Sequence, residues 1–151
     1  MKKKTLLFWI NFWPPFLGSG IKVTSISPDF ATIEVRMKLR FWNKNYVGTH
    51  FGGSLYAMTD PFFMLILIEK LGRDYIVWDK AASIRFIKPG KGTVYARFHI
   101  SEEEILDLKN QVDLHGKIEP LFTVDILDEE KNCIASVEKK LYIKKKKDAL
   151  S

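Results

Sequence analysis

Residues 45–61 read Asn45-Tyr46-Val47-Gly48-Thr49-His50-Phe51-Gly52-Gly53-Ser54-Leu55-Tyr56-Ala57-Met58-Thr59-Asp60-Pro61. A Gly-Gly pair stands where an apolar helix begins, predicted over about Gly53 to Leu71 with Gly72 as its C-terminal cap. Glycines at a helix start let a ligand approach bare N–H groups, which carry the positive end of the helix dipole. The helix is apolar on nearly every side: Leu55, Ala57, Met58, Phe62, Phe63, Met64, Leu65, Ile66, Leu67 and Ile68. Such a helix belongs in the middle of a fold. Asp60 interrupts it, and a carboxylate buried among Leu, Met and Phe side chains needs a reason and has a raised pKa. Pro61 cannot donate to the Ala57 carbonyl, which predicts a kink.

Outward from this helix the pattern is strand. Ile21–Ile26 follows Gly18 and Gly20, and Ala31–Arg40 alternates with Ile33, Val35, Met37 and Leu39 on one face. On the far side come Asp79–Lys88, Thr93–Ser101, Leu121–Leu127 and Cys133–Ile143, the last two joined by a turn over 128–132. Ser101 and Glu104 form a capping box that opens a short helix to about Val112. Two strands, a long helix and four more strands predict an α+β fold, an antiparallel sheet of five or six strands wrapped around one central helix.

The 151 residues predict one domain, with a core over about 11–143 and a basic tail over 144–151. With 46% hydrophobic and 28% charged residues the chain reads as folded. A single cysteine, Cys133, excludes an internal disulfide, and three scattered histidines offer no metal set. The net charge of +6 draws much from Lys2–Lys4 and Lys144–Lys147, read first as solvated tails and second as attraction to coenzyme phosphates or a membrane surface. No basic helix or interleaved aromatic motif indicates nucleic acid. Lys2–Lys4 before Leu6–Ile10 imitates a signal peptide, but Asn11, Pro14 and Pro15 break the run without a cleavage site. A cytoplasmic protein without stable membrane insertion is expected. The run Phe8-Trp9-x-x-Phe12-Trp13-x-x-Phe16 reads as core, or as a lid over an acyl chain.

Asn45-x-x-Gly48-x-x-x-Gly52-Gly53, with Asp60 seven residues later, resembles the active-site segment of hotdog-fold acyl-CoA thioesterases, phenylacetyl-CoA type, and a related hotdog family of unknown function. Residues 84–94 are similar to the strand and turn that follow in those enzymes. The resemblance implies that the Gly52 N–H takes the thioester carbonyl oxygen and that the Asn45 amide orients it. Asp60 would activate water as general base, or attack directly. Asp79 falls where those enzymes place a Ser or Thr that holds the water, and His50, Phe51, Gly53 and Ser83 would line the substrate. Phe51 stands where the family has His, and His50 sits one residue early. No cofactor or metal is implied.

On a helix, eight residues separate Gly52 from Asp60 by about 12 Å. One thioester carbon cannot reach both, so the site requires two chains and predicts a homodimer, possibly a tetramer, acting on an acyl-CoA or acyl-carrier thioester. Two alternatives stay open: an acyl, fatty-acid or CoA binder without hydrolysis, and a dehydratase, which needs a His paired with an acid.

Overall fold

Why the sheet must curl is set by the residues of one short helix. The computed structural model describes residues 2–147, and residues 148–151 of the expected basic tail lie outside it. Helix α1 (Lys3–Phe12) and α2 (Pro14–Ser19) lead into β1 (Ile21–Ile26) and β2 (Thr32–Lys38). The central helix comes in two segments, α3 (Gly52–Ala57) and α4 (Phe62–Leu71). Then follow β3 (Tyr75–Phe86), β4 (Thr93–His99), α5 (Glu102–His115), β5 (Lys117–Ile118), β6 (Leu121–Leu127) and β7 (Cys133–Lys145). The strands form one antiparallel sheet in the order β1-β2-β4-β6-β7-β3, with the two-residue β5 also on β7.

Helix α4 buries Phe62, Phe63, Ile66, Leu67 and Leu71. The sheet meets them with Val35, Met37, Val94, Phe98, Ile126 and Val137, every one an inward member of an alternating strand. Aromatic rings tie the layers together. Phe62 lies 4.9 Å from Phe98 and 5.8 Å from Phe16, and Phe63 stacks on Phe122 at 4.9 Å. The capping box closes as expected: the Ser101 N–H donates to Glu104 at 2.7 Å and the Glu104 N–H to Ser101 at 3.2 Å.

Three expectations change. Pro61 does more than kink the helix. Thr59 N–H turns back to the Tyr56 carbonyl and Asp60 N–H to Ala57, tightening the last turn until α3 ends. The aromatic run is not core, because only Phe16 is buried while Phe8, Trp9, Phe12 and Trp13 stay exposed. Strand β3 begins four residues early, and β7 continues through Lys144 and Lys145, placed in the tail by sequence, since both pair with Ile76 and Tyr75.

Phe62 is fully buried between Phe16 and Phe98. Phe62→Ala is expected to lower unfolding free energy by about 3–5 kcal/mol in urea titrations. A loss below about 1 kcal/mol would mean that the layers do not meet at this ring.

Candidate active site

The expected residues fall into two groups. The first is the loop before α3. Asn45 uses its whole amide inside that loop: Nδ2 donates to Thr49 Oγ1 at 2.9 Å and to the His50 carbonyl at 3.3 Å, and Oδ1 accepts from the Val47 and Thr49 N–H groups. It therefore shapes the turn instead of presenting an amide to a ligand. His50 is buried, with Nε2 2.9 Å from the Gly92 carbonyl and no acid at hydrogen-bonding distance among the described residues. Burial depresses its pKa against the opposing effect of that carbonyl, so the ring is neutral at pH 7. A histidine on a backbone carbonyl is not the His–acid pair that a dehydratase requires.

Gly52 and Gly53 open α3, and neither N–H meets an acceptor among the described residues. An exposed ring lies over each glycine, and a side chain there would push the ring tip aside. A Cβ on Gly52 would come within 2.9 Å of Phe86, and one on Gly53 within 2.7 Å of Phe51. Asn45, His50, Gly52, Leu55, Phe86 and Pro89 line an open cleft of about 350 Å³.

The second group surrounds a residue that the sequence reading missed. The Lys139 side chain is 1% exposed, and its Nζ lies 3.5 Å from Asp60 Oδ1, 3.3 Å from Asp79 Oδ1 and 3.4 Å from the Tyr56 hydroxyl. The ammonium also sits 5.2 Å from the centre of the Tyr56 ring. Burying a lone ammonium costs several kcal/mol, so two carboxylates must hold it there. Burial pushes Lys139 down, but Asp60 and then Asp79 more than offset it, leaving the pKa above the ordinary lysine value. Burial pushes the Asp79 carboxyl up, its contact with Asp60 adds to that, and Lys139 opposes both. Asp79 Oδ1 stays outside hydrogen-bonding geometry despite the ion pair. Asp60 is therefore not sealed among Leu, Met and Phe side chains: at the break before Pro61 its side chain is 45% exposed and faces a cation.

Asp79 shares the side of β3 that Val77 faces and pairs with the inward Leu141, and a β-bulge follows it at Lys80. Ser83 does not join it. It is exposed and pairs with Glu138, whose side chain lies on the face opposite Lys139. The sequence did carry a signal for Lys139: Val137, Leu141 and Ile143 alternate inward, and Lys139 stands in the same register.

A domain family of unknown function, DUF4442, matches residues 2–143. No curated protein matches the sequence. Among solved structures, the chain resembles PA5026 from Pseudomonas aeruginosa, a protein of unknown function described as a probable thioesterase, with 18% identity, 97% of each chain covered and a TM-score of 0.84. It also resembles thioesterase HI1161 from Haemophilus influenzae, at 15% identity over 96% of this chain and 92% of that one, TM-score 0.69. The phenylacetic acid degradation protein PaaI from Thermus thermophilus is similar at 18% identity over 85% and 97%, TM-score 0.58. These likenesses establish the hotdog fold.

Removing Lys139 strands two carboxylates. Lys139→Met is expected to lower stability at pH 7 by about 1–3 kcal/mol, less than for a sealed pair because Asp60 meets solvent. Adding Asp60→Asn and Asp79→Asn should recover most of that loss. Additive losses in a double-mutant cycle would show that the three groups do not interact. His50 gives a pH test. Its depressed pKa makes its contribution fully present above the ordinary value of 6.5 and lost as pH falls from there toward the folded value. Unfolding free energy should decline over that window, and the decline should flatten in His50→Gln; an unchanged slope would place the titration elsewhere.

Proposed function

We propose that this chain, which belongs to the DUF4442 family of domains of unknown function, hydrolyses an acyl thioester, carried by CoA or an acyl-carrier protein, at a site completed by two copies of itself. The observation that supports this most directly is the convergence of Asp60 and Asp79 on Lys139 at the exposed break between α3 and α4. A carboxylate held beside a cation at a point open to solvent, as Asp60 is, can take a proton from water.

Several features favour the dimer. Strand β3 is an edge of the sheet, twelve residues long, and unpaired on its outer side among the described residues. Phe86 and Trp78 on it are exposed, as is Ile68 on α4. A long apolar edge invites a further strand, and a second β3 related by a twofold axis would continue the sheet. Asp60 would then face the partner subunit's Gly52 across the seam.

The reaction needs no group beyond these. Water oxygen bonds to the thioester carbon while Asp60 takes a water proton. The charge that gathers on the carbonyl oxygen is met by the partner subunit's Gly52 N–H. The C–S bond then breaks, the leaving thiolate takes the proton that Asp60 holds, which returns Asp60 to its carboxylate form, and a carboxylic acid remains. Lys139, itself held by Tyr56, keeps the Asp60 carboxylate in place, and Asn45 holds the loop that presents Gly52.

A second reading, an acyl or CoA binder without turnover, is favoured by one observation: the Asp60 carboxylate is already engaged by Lys139, while Phe51 occupies the position of the superfamily's histidine. Ligand-induced thermal stabilisation with no thiol release, unchanged in Asp60→Asn, would select it.

A panel of acyl-CoAs from short to long chain, followed with a thiol reagent, tests the main reading. Asp60→Asn is expected to lower kcat by about 10²–10⁴-fold. Gly52→Pro removes the N–H at a first-turn position that tolerates proline, and is expected to cost about 10²–10³-fold. Mixing the two inactive proteins under exchange should restore about a quarter of the sites, because a mixed dimer holds one intact pair. No release from any substrate, or an Asp60→Asn enzyme at full rate, rules out the hydrolase.

A further inference from the structure

Helix α1 has two apolar sides. Leu6, Leu7 and Ile10 pack inward against the core. Phe8, Trp9 and Phe12 point the other way, with Trp9 65% exposed. A helix apolar all round normally lies within protein or lipid, because its outer rings would otherwise face water. Trp13 and Leu17 of the adjoining α2 extend the same uncovered surface.

The charge beside it has one sign. The first acidic residue in the chain is Asp29, so the segment before it is purely cationic. Phe8, Phe12 and Leu17 line a groove of about 650 Å³ whose rim carries Lys4, Lys22 and Arg40. That groove runs into a second one, lined by Lys22, Arg36, Lys38 and Arg40 with Glu129 as its one acid. Lys22 and Arg36 stand directly opposite each other across β1 and β2, a repulsive arrangement. None of these four cations forms an ion pair among the described residues. Arg40 instead lies 5.4 Å from the centre of the exposed Trp42 ring.

We propose that α1, α2 and the neighbouring cationic strands β1 and β2 form a docking surface for an anionic phospholipid bilayer. Exposed Trp and Phe suit the boundary between headgroups and acyl chains, and a rim of Lys and Arg suits a sheet of phosphates. An array of phosphates also relieves the Lys22–Arg36 repulsion. A second copy of this chain fits poorly, since a twofold contact would lay cation on cation. The surface lies on β1, at the opposite edge of the sheet from β3, so the dimer proposed above leaves it free. Contact is peripheral: no helix among the described residues is long and apolar enough to cross a membrane.

Co-sedimentation of the full chain with vesicles tests this independently of any catalysis. The protein is expected to pellet with equimolar phosphatidylcholine and phosphatidylglycerol, to be released by high salt, and not to pellet with phosphatidylcholine alone. Phe8→Ser/Phe12→Ser and Lys2→Glu/Lys4→Glu should each weaken binding about tenfold or more, with unchanged circular dichroism and unchanged mass by light scattering. Failure to pellet with anionic vesicles overturns the proposal, as does equal binding to neutral ones or wild-type binding by both variants. A fall in mass for the aromatic variant would show instead that the face joins copies of this chain.

Discussion

Helix α4 is apolar through its first seven residues, and its only charges, Glu69 and Lys70, come in the last turn. Phe62, Phe63, Ile66, Leu67 and Leu71 point inward, and Met64, Leu65 and Ile68 add no charge beside them. The first two turns must be covered, so the sheet packs around them and only the last turn reaches water. Alternation on β2, β4, β6 and β7 supplies the matching apolar wall, and the rings of Phe16, Phe62, Phe98 and Phe122 fill the space between. The same constraint leaves Ile68 and the β3 edge uncovered by a single copy of the chain.

The candidate site exists where that apolar rule is broken. Pro61 ends the helical hydrogen bonding, Asp60 emerges at the gap, and Lys139 enters the interior from the facing strand. The buried Lys139 ammonium would not be tolerated alone. Together with Asp79 and Tyr56, Asp60 and Lys139 form a set in which the buried ammonium is held by two acids and one hydroxyl. The arrangement keeps charged chemistry next to a wall of Phe, Ile and Val without unfolding it. The cationic and aromatic surface at α1 belongs to the other end of the sheet, so the molecule separates its acid-bearing end from its lipid-like one.

Some of this is legible in the chain. Asn45, Gly52 and Asp60 mark the loop and helix start by chemistry that acts over a few residues, and the capping box at Ser101 and Glu104 closes as read. The aromatic run before Pro14 misleads, because apolar spacing says that a face is covered without saying by what. Only Phe16 of that run reaches the core. Asp79 was singled out from the superfamily pattern and lies inward by the alternation it shares with Val77, whereas the bulge that follows at Lys80 leaves no mark in spacing. Ser83 faces away because that same bulge sets the register that follows it.

The sequence by itself determined the central apolar helix, its interruption at Pro61, the alternating strands around it and the glycine-led loop before it. These follow from side-chain periodicity and backbone chemistry, which act locally. Only the tertiary structure decided that Lys139 meets Asp60 and Asp79, that Asn45 and His50 brace a turn, and that the rings of α1 face outward. Those outcomes depend on which strand lies beside which, and an ion pair between residues 60 and 139 exists only after the sheet has closed.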